Sequence, residues 1–379
     1  MIEVVIWTGF GGVDGEVFTR AVYEFTRKYN QDNNVSIEAK VINRDFMANY
    51  RELLTMSYED PYFPDAFITH AYKVDEYASK TEPLPENASF WKNLDKDLLQ
   101  TSYHGFEVRP YALPIDVHSA VLYFKKSVLE KEGISVREVK EGLAWSRFIS
   151  ILKILKEKGY EPFAFLWEFP VVSSYYIQSS FKKGIDPEDY SSGALAEALS
   201  LMNELSQYSV GPKYGDPYAQ LSKGKPVFAI EGMWNKKWIV ESLGYDVAPL
   251  PVVDGLNEKY CWAASHVFAV SRRVEMGDPQ ESAQKKKFLY ALAGYLVSEN
   301  FQEKWAKLGF VPVNKKVRMM FLRKDPYHSS FSQSRFYVFP FRESMKDVWG
   351  VFETSLMRTL AGEPSEVSAR YIDILKKSP

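Results

Sequence analysis

The sequence predicts an α/β protein divided into two lobes. Three observations carry this expectation. Short apolar strands alternate with amphipathic helices from the N-terminus onward, the pattern of a mainly parallel sheet with helices on its faces. The 379 residues exceed the usual size of one domain. No Gly/Ser-rich linker marks a cut between halves, so the lobes are expected to interleave along the chain.

Glu3–Trp7 reads as a short buried strand and residues 8–15 as a Gly-rich loop. Phe18, Val22, Phe25 and Tyr29 then recur at helical spacing. A strand over Val35–Ile42, a helix near Phe46–Tyr58 and a strand over Pro64–Ile68 continue the alternation. Ser146 is the expected N-cap of a helix whose apolar stripe is Phe148, Leu152 and Leu155, with Gly159 as its stop. Gly193–Tyr208 is an amphipathic helix through Leu195, Leu199, Met202 and Leu205. Strand Val227–Ile230 runs into Glu231-Gly-Met-Trp234, and Asp246–Val253 is a further strand. A long helix is expected near Ala283–Ser298, another up to Gly309, and two more over 344–361 and 365–377. Tyr327–Phe341 lacks helical periodicity and reads as irregular.

The stretch Tyr111–Phe124 is expected to cross from one lobe to the other. Pro114 fixes its own φ and drives Leu113 into extended backbone, so the segment turns a stiff corner. Asp116 and His118 stand two residues apart, which on a strand puts both side chains on one face. Cys261–Ser271 reads as a second crossing and residues 311–317 as a third.

Composition excludes several functions. A net charge of −2 offers no footprint for nucleic acid. The single cysteine, Cys261, allows no internal disulfide, and there is no Cys-x-x-Cys or His/Cys zinc motif, so neither a cofactor nor a metal is expected. No apolar run approaches the roughly 20 residues that span a bilayer, and no leader precedes the first strand, which fits a cytoplasmic chain or a mature exported form. The Gly-rich loop fails as a dinucleotide fingerprint: Asp14 stands where the third glycine belongs, and Asp14 and Glu16 would repel a phosphate. Asp14 is instead expected as an N-cap or polar ligand. Aromatic residues are abundant, with 9 Trp, 24 Tyr and 25 Phe. Beyond what a core requires, that excess suits a surface that stacks on rings.

Several segments in order resemble the extracellular solute-binding proteins of carbohydrate ABC importers, the group that includes maltose-binding protein. Ile6-Trp7 with the Gly-rich loop and helix is similar to the family's opening unit. Leu113-Pro-Ile-Asp-Val-His118 with Val121–Lys125 resembles its first crossing, and Trp145 with the following helix its Thr-Trp-x-Glu-Leu segment. Lys223-Gly-Lys-Pro-Val-Phe-Ala-Ile-Glu-Gly-Met-Trp234 is the most specific match, and Leu296–Gln302 through Gly309–Pro312 resembles the late helix and turn. Thr69-His-Ala-Tyr72 lacks a Trp common at that place, and His118 replaces a carboxylate; both changes argue against a long maltodextrin ligand, and the missing Trp with the high Tyr/Phe count favours a small ligand.

The resemblance implies a type II periplasmic-binding-protein fold with a ligand cleft between the lobes. The expected lobes are 1–112 with 264–315, and 116–260 with 318–379. The implied function is capture of a sugar, oligosaccharide or polyol by hinge closure and delivery to a membrane permease. No bond is broken and no catalytic residue is expected; the chain is taken as a monomeric, periplasmic or extracellular mature form. A sugar presents C–H faces and hydroxyls, so its site needs aromatic plates beside planar polar groups. The candidates are Trp7, Phe10, Asp14, His70, Tyr72, Asp116, His118, Trp167, Glu168, Trp234, Asn235, Trp262, Ser265, Arg335 and Trp349. A glycoside hydrolase acting on a small oligosaccharide is the alternative, with Asp116 and Glu168 as its two carboxylates.

Overall fold

The computed structural model describes residues 1–96, 98, 111–164, 169–209, 217–337 and 348–374. Backbone contacts divide the chain into two interleaved units, Met1–Val117 with Ala264–Met320, and His118–Ala263 with Phe321–Pro379. Among the described residues the strands are β1 (Ile2–Thr8), β2 (Ile37–Asn43), β3 (Ala66–His70), β4 (Thr81–Glu82), β5 (Leu113–Pro114), β6 (His118–Phe124), β7 (Phe163–Ala164), β8 (Phe228–Gly232), β9 (Asp246–Ala248), β10 (Lys259–Ala264), β11 (His266–Ser271) and β12 (Ser334–Tyr337).

Each unit is built on one sheet. The first has the order β2-β1-β3-β11-β4, with β5 on β11; the second has the order β12-β10-β6-β8-β7, with β9 on β6. Both are mixed rather than wholly parallel. β1 pairs in parallel with β2 and β3, but β11 runs antiparallel to β3, β4 and β5. In the second sheet β6 is antiparallel to β8 and β9, while β7–β8 and β10–β12 are parallel. The sequence pattern reports a strand but not its direction, and here a strand arriving late in the chain enters each sheet.

The first helix, Gly12–Asn33, buries Phe18, Ala21, Val22, Thr26 and Tyr29. Gly11 is its N-cap, without a side-chain cap, so Asp14 lies inside the first turn and is not the cap. Its negative charge there complements the helix dipole. Ala144, not Ser146, precedes the helix Trp145–Glu157. Ser146 instead donates its hydroxyl to Asp254 at 3.0 Å. Cys261–Ser271 is two strands in different sheets, joined around Ser265. The late segment expected to be irregular holds a short helix, Pro326–Ser329, and strand β12 in parallel register with β10.

The core of the first unit gathers Trp7, Leu53, Phe63, Phe67, Tyr77, Val267 and Ala269 over its sheet. In the second, Phe148 packs edge-on against Phe163 and Phe228, with ring centroids 6.3 and 5.4 Å away. Aromatic side chains of this size each bury upwards of 150 Å², so part of the aromatic excess is structural.

Candidate functional site

In open α/β sheets ligands bind beyond the carboxyl ends of strands. In the first unit that edge is made by the end of β1, the end of β3 and the start of β11. The antiparallel register sets His266 directly opposite His70. Their ring centroids are 4.6 Å apart. The Phe46 ring stacks on His266 at 5.3 Å and meets His70 edge-on at 4.8 Å. Phe10 meets His266 edge-on at 4.7 Å, and Tyr72 lies 5.3 Å from His70. The Tyr50 hydroxyl is hydrogen-bonded to His70 Nδ1. Phe46 reaches this place because residue 9 is glycine: a Cβ there would run into the Phe46 ring.

Asp116 lies behind this face. It is fully buried, and its carboxylate accepts three N–H groups: His266 N at 3.0 Å, His266 Nδ1 at 2.9 Å and Trp305 Nε1 at 2.7 Å. A carboxylate only accepts, so Nδ1 carries the proton and the imidazole is oriented with Nε2 away from Asp116. The expectation that Asp116 and His118 share one strand face is not met. β6 begins at His118, and Asp116 belongs to the connection before it. Its side chain acts on the face through His266.

Asp14 stands within electrostatic reach of His266 and Asp116. Burial pushes its carboxyl up to about 6, His266 opposes the rise and Asp116 adds to it. Among the described residues it makes no hydrogen bond. Burial also lifts the Tyr72 hydroxyl to about 12, so it remains a neutral donor and acceptor at physiological pH.

Other candidates of the first unit are structural in this arrangement. Trp7 is 1% exposed and belongs to the core. The Arg44 guanidinium covers its ring at 4.0 Å. Ser265 is buried and donates its hydroxyl to the His266 carbonyl at 3.0 Å.

The second unit presents tryptophan. Trp234 follows the end of β8 in the single turn Met233–Asn235, and a π-helical turn, Lys237–Ser242, comes next. The Trp234 ring lies over Gly232, where a Cβ would collide with the indole. His118 meets Trp234 edge-on at 5.6 Å and Trp262 at 6.4 Å. Trp262 meets Trp349 edge-on at 5.5 Å. Trp234, Asn235 and Trp349 are half-buried, whereas His118 and Trp262 are buried. Trp262 N–H donates to Ser174 Oγ at 3.1 Å, and Ser119 Oγ donates to the Trp262 carbonyl. These bonds hold β10 and leave the indole for packing. Arg335 is remote in character: it is exposed and paired with Glu258 at 2.9 Å. Trp167 and Glu168 lie outside the described residues.

Sequence reasoning did not find Phe46, Tyr50 or the bond from Trp305 to Asp116. Phe46 and Tyr50 lie one helical turn apart near the start of the helix Phe46–Thr55 and read as its apolar stripe. The one local signal was glycine at position 9, whose need for an absent side chain appears only once Phe46 is folded over it.

Comparison with known proteins agrees with this architecture. Comparison with curated protein sequences found no match. Among solved structures, maltose-bound MalE3 of T. maritima superposes with a TM-score of 0.75 at 20% identity over 100% of both chains. The GacH receptor of Streptomyces glaucescens, studied with acarbose, gives 0.74 at 15% identity, covering 99% of this chain and 97% of the other. An ABC transporter solute-binding protein of Thermotoga lettingae, bound with α-D-tagatose, gives 0.73 at 19% over 99% of this chain and 100% of the other. At such identities the likeness shows the fold, which is that of type II periplasmic binding proteins. Residues 55–273, more than half of the chain, match the family model described as bacterial extracellular solute-binding protein, and the chain belongs to that family.

Proposed function

We propose that this solute-binding protein captures a neutral hydroxylated ligand, a sugar, short oligosaccharide or polyol, outside the cytoplasmic membrane and delivers it to the permease of an ABC importer. The observation that carries the reading is the pairing of half-buried aromatic rings with polar groups at strand ends in each unit: Phe46 with His70 and Tyr72, and Trp234 with Asn235 and His118. Aromatic faces match the C–H faces of a pyranose, while Asn, His and Tyr both donate and accept hydrogen bonds. Related structures bind maltose, acarbose and tagatose, which points to the same ligand class. The mechanism is binding followed by hinge closure, in which the ligand favours the closed state by its differential contacts. The protein acts as a monomer and has no role with nucleic acid.

A thermal-shift screen tests the ligand class. A ligand at about 100 times its Kd stabilises the native state by about 2.7 kcal/mol. The expected result is a raised Tm with a mono- or disaccharide or a polyol. A screen in which only peptides or anions raise Tm sinks the carbohydrate reading.

A further inference from the structure

We propose that Tyr123 and Tyr327 are positioning residues for Trp234: they clamp the two peptide planes that lead into it, so that the indole is held in place before a ligand arrives. The role of this clamp rests on the reading of Trp234 as a stacking plate for a hydroxylated ligand, and neither tyrosine needs to touch the sugar. Trp234 stands in the single turn Met233–Asn235, between the end of β8 and the π-helical turn Lys237–Ser242. π-helical turns are rare and are frequent at functional sites, and a single helical turn does not hold its own shape. Two buried tyrosines supply what it lacks. Tyr123, on β6, donates its hydroxyl to the Gly232 carbonyl at 2.9 Å. Tyr327, in the short helix Pro326–Ser329, donates its hydroxyl to the Met233 carbonyl at 3.3 Å. A peptide group is planar, so fixing a carbonyl fixes its whole plane. The Gly232 carbonyl belongs to the plane entering Met233, and the Met233 carbonyl to the plane entering Trp234. Both planes ahead of the indole are therefore held from outside the turn. The indole folds back over Gly232, so its place depends on those same planes.

The far side of the turn closes the clamp. Lys236 donates its backbone N–H to the same Met233 carbonyl. Its ammonium lies 4.6 Å over the Tyr327 ring and 3.6 Å from the Asp325 carboxylate. Asp325 caps the helix of Tyr327, accepting from Tyr327 N–H and His328 Nδ1, each at 2.9 Å. Phe331 meets the Tyr327 ring edge-on at 5.1 Å. All of these residues belong to the second unit, and the late segment that carries Tyr327 reaches the Trp234 turn from far along the chain. A ring held this way does not have to be ordered by its ligand, and ordering a loose side chain on binding weakens affinity.

The test is fluorine NMR of the full chain labelled with fluorotryptophan, in which the resonance missing from Trp234→Phe identifies Trp234 among the nine tryptophans. With no sugar present, Tyr327→Phe and Tyr123→Phe are expected to shift and broaden that resonance and to leave the Trp145 resonance, identified through Trp145→Phe, where it is. Tyr245→Phe is the control. Its buried hydroxyl donates to the Pro226 carbonyl at 2.6 Å, ahead of β8 rather than at its end, so its loss should leave Trp234 unmoved. Melting curves check that each variant is folded, and should Tyr327→Phe unfold, Tyr123→Phe decides the matter. Titration with maltose and with D-tagatose, sugars bound by structural relatives, is expected to show affinity about 3- to 10-fold weaker in Tyr327→Phe, the effect of one side chain left to be ordered on binding. An unmoved Trp234 resonance in folded Tyr327→Phe, equal movement in Tyr245→Phe, or an unchanged Kd for a sugar that binds overturns the proposal. Should neither sugar bind, the sugar-free spectra decide alone, so failure of the clamp and failure of the carbohydrate reading are seen apart.

Discussion

Gly9 and Gly232 hold matching places in the two units. Each stands at the carboxyl end of a strand, and each lies under an aromatic ring that a Cβ would strike, Phe46 in the first unit and Trp234 in the second. Gly232 has φ −71°, and Gly9 is not among the positive-φ glycines, so neither is needed for its backbone conformation. What both positions require is the absence of a side chain. The faces around them differ. The first is a layer of histidine and phenylalanine backed by the buried carboxylate Asp116. The second is made of tryptophan, with His118 edge-on to two indoles. The difference teaches a division of labour: the first unit orients polar groups through a buried charge, and the second offers broad apolar plates.

The sharpest way to break the comparison is Asp116→Ala. It strips the shared acceptor from three buried N–H donors, and by analogy with broken buried ion pairs it should destabilise by about 3–5 kcal/mol in chemical denaturation. A loss below about 1 kcal/mol would mean that the first face is not organised around this carboxylate. Next is the paired substitution of Trp234 and Phe46 by Ala. Truncating a central aromatic contact commonly costs about 2 kcal/mol, or roughly 30-fold in Kd. Trp234→Ala is expected to reach that value in calorimetry with the ligand found by screening, and Phe46→Ala to fall short of it. Equal losses would remove the division of labour.

Gly9→Ala and Gly232→Ala probe the shared device directly. Forcing a methyl under a packed ring should lower stability by about 1–3 kcal/mol and displace the ring. Gly232→Ala should also change tryptophan fluorescence, and Gly9→Ala should leave it nearly as it is. Identical spectra in both variants would contradict the placement of Trp234.

A smaller effect concerns Asp325, outside both faces. Burial pulls its carboxyl up, but the hydrogen bond to His328, the Lys236 ammonium and the Tyr327 N–H outweigh it and hold the group down to about 2. A depressed carboxylate contributes stability above its unfolded value near 3.9 and loses it as pH falls towards 2. Asp325→Asn should therefore cost about 1 kcal/mol at pH 7, limited by solvent screening, with the difference from wild type shrinking between about pH 4 and 2. A pH-independent difference would exclude the charge as its cause. Least of all should Arg335→Ala matter: its exposed pair with Glu258 is worth less than about 0.5 kcal/mol, and ligand affinity should stay unchanged.

The parts legible in the sequence were those that depend on neighbours along the chain. Helical spacing marked Gly12–Asn33 and Ser192–Ser206 to within a few residues, and the apolar run Val227–Ile230 marked most of β8 ahead of the turn holding Trp234. The family was legible too, because its segments keep their order along the chain. Strand direction was not, since the alternation of side chains is the same either way, and β11 proved antiparallel to β3. Asp116 was recognised as important but its task was misread. Only packing against Trp305 and His266 shows a carboxylate that is consumed by buried donors.

Residue types and local periodicity are enough to choose between helix and strand, because those choices are settled over a few residues. Which side chains meet at one edge is settled by register between distant strands and by glycines that clear room for rings. His70 beside His266, and Phe46 over Gly9, are decided there, in the tertiary structure.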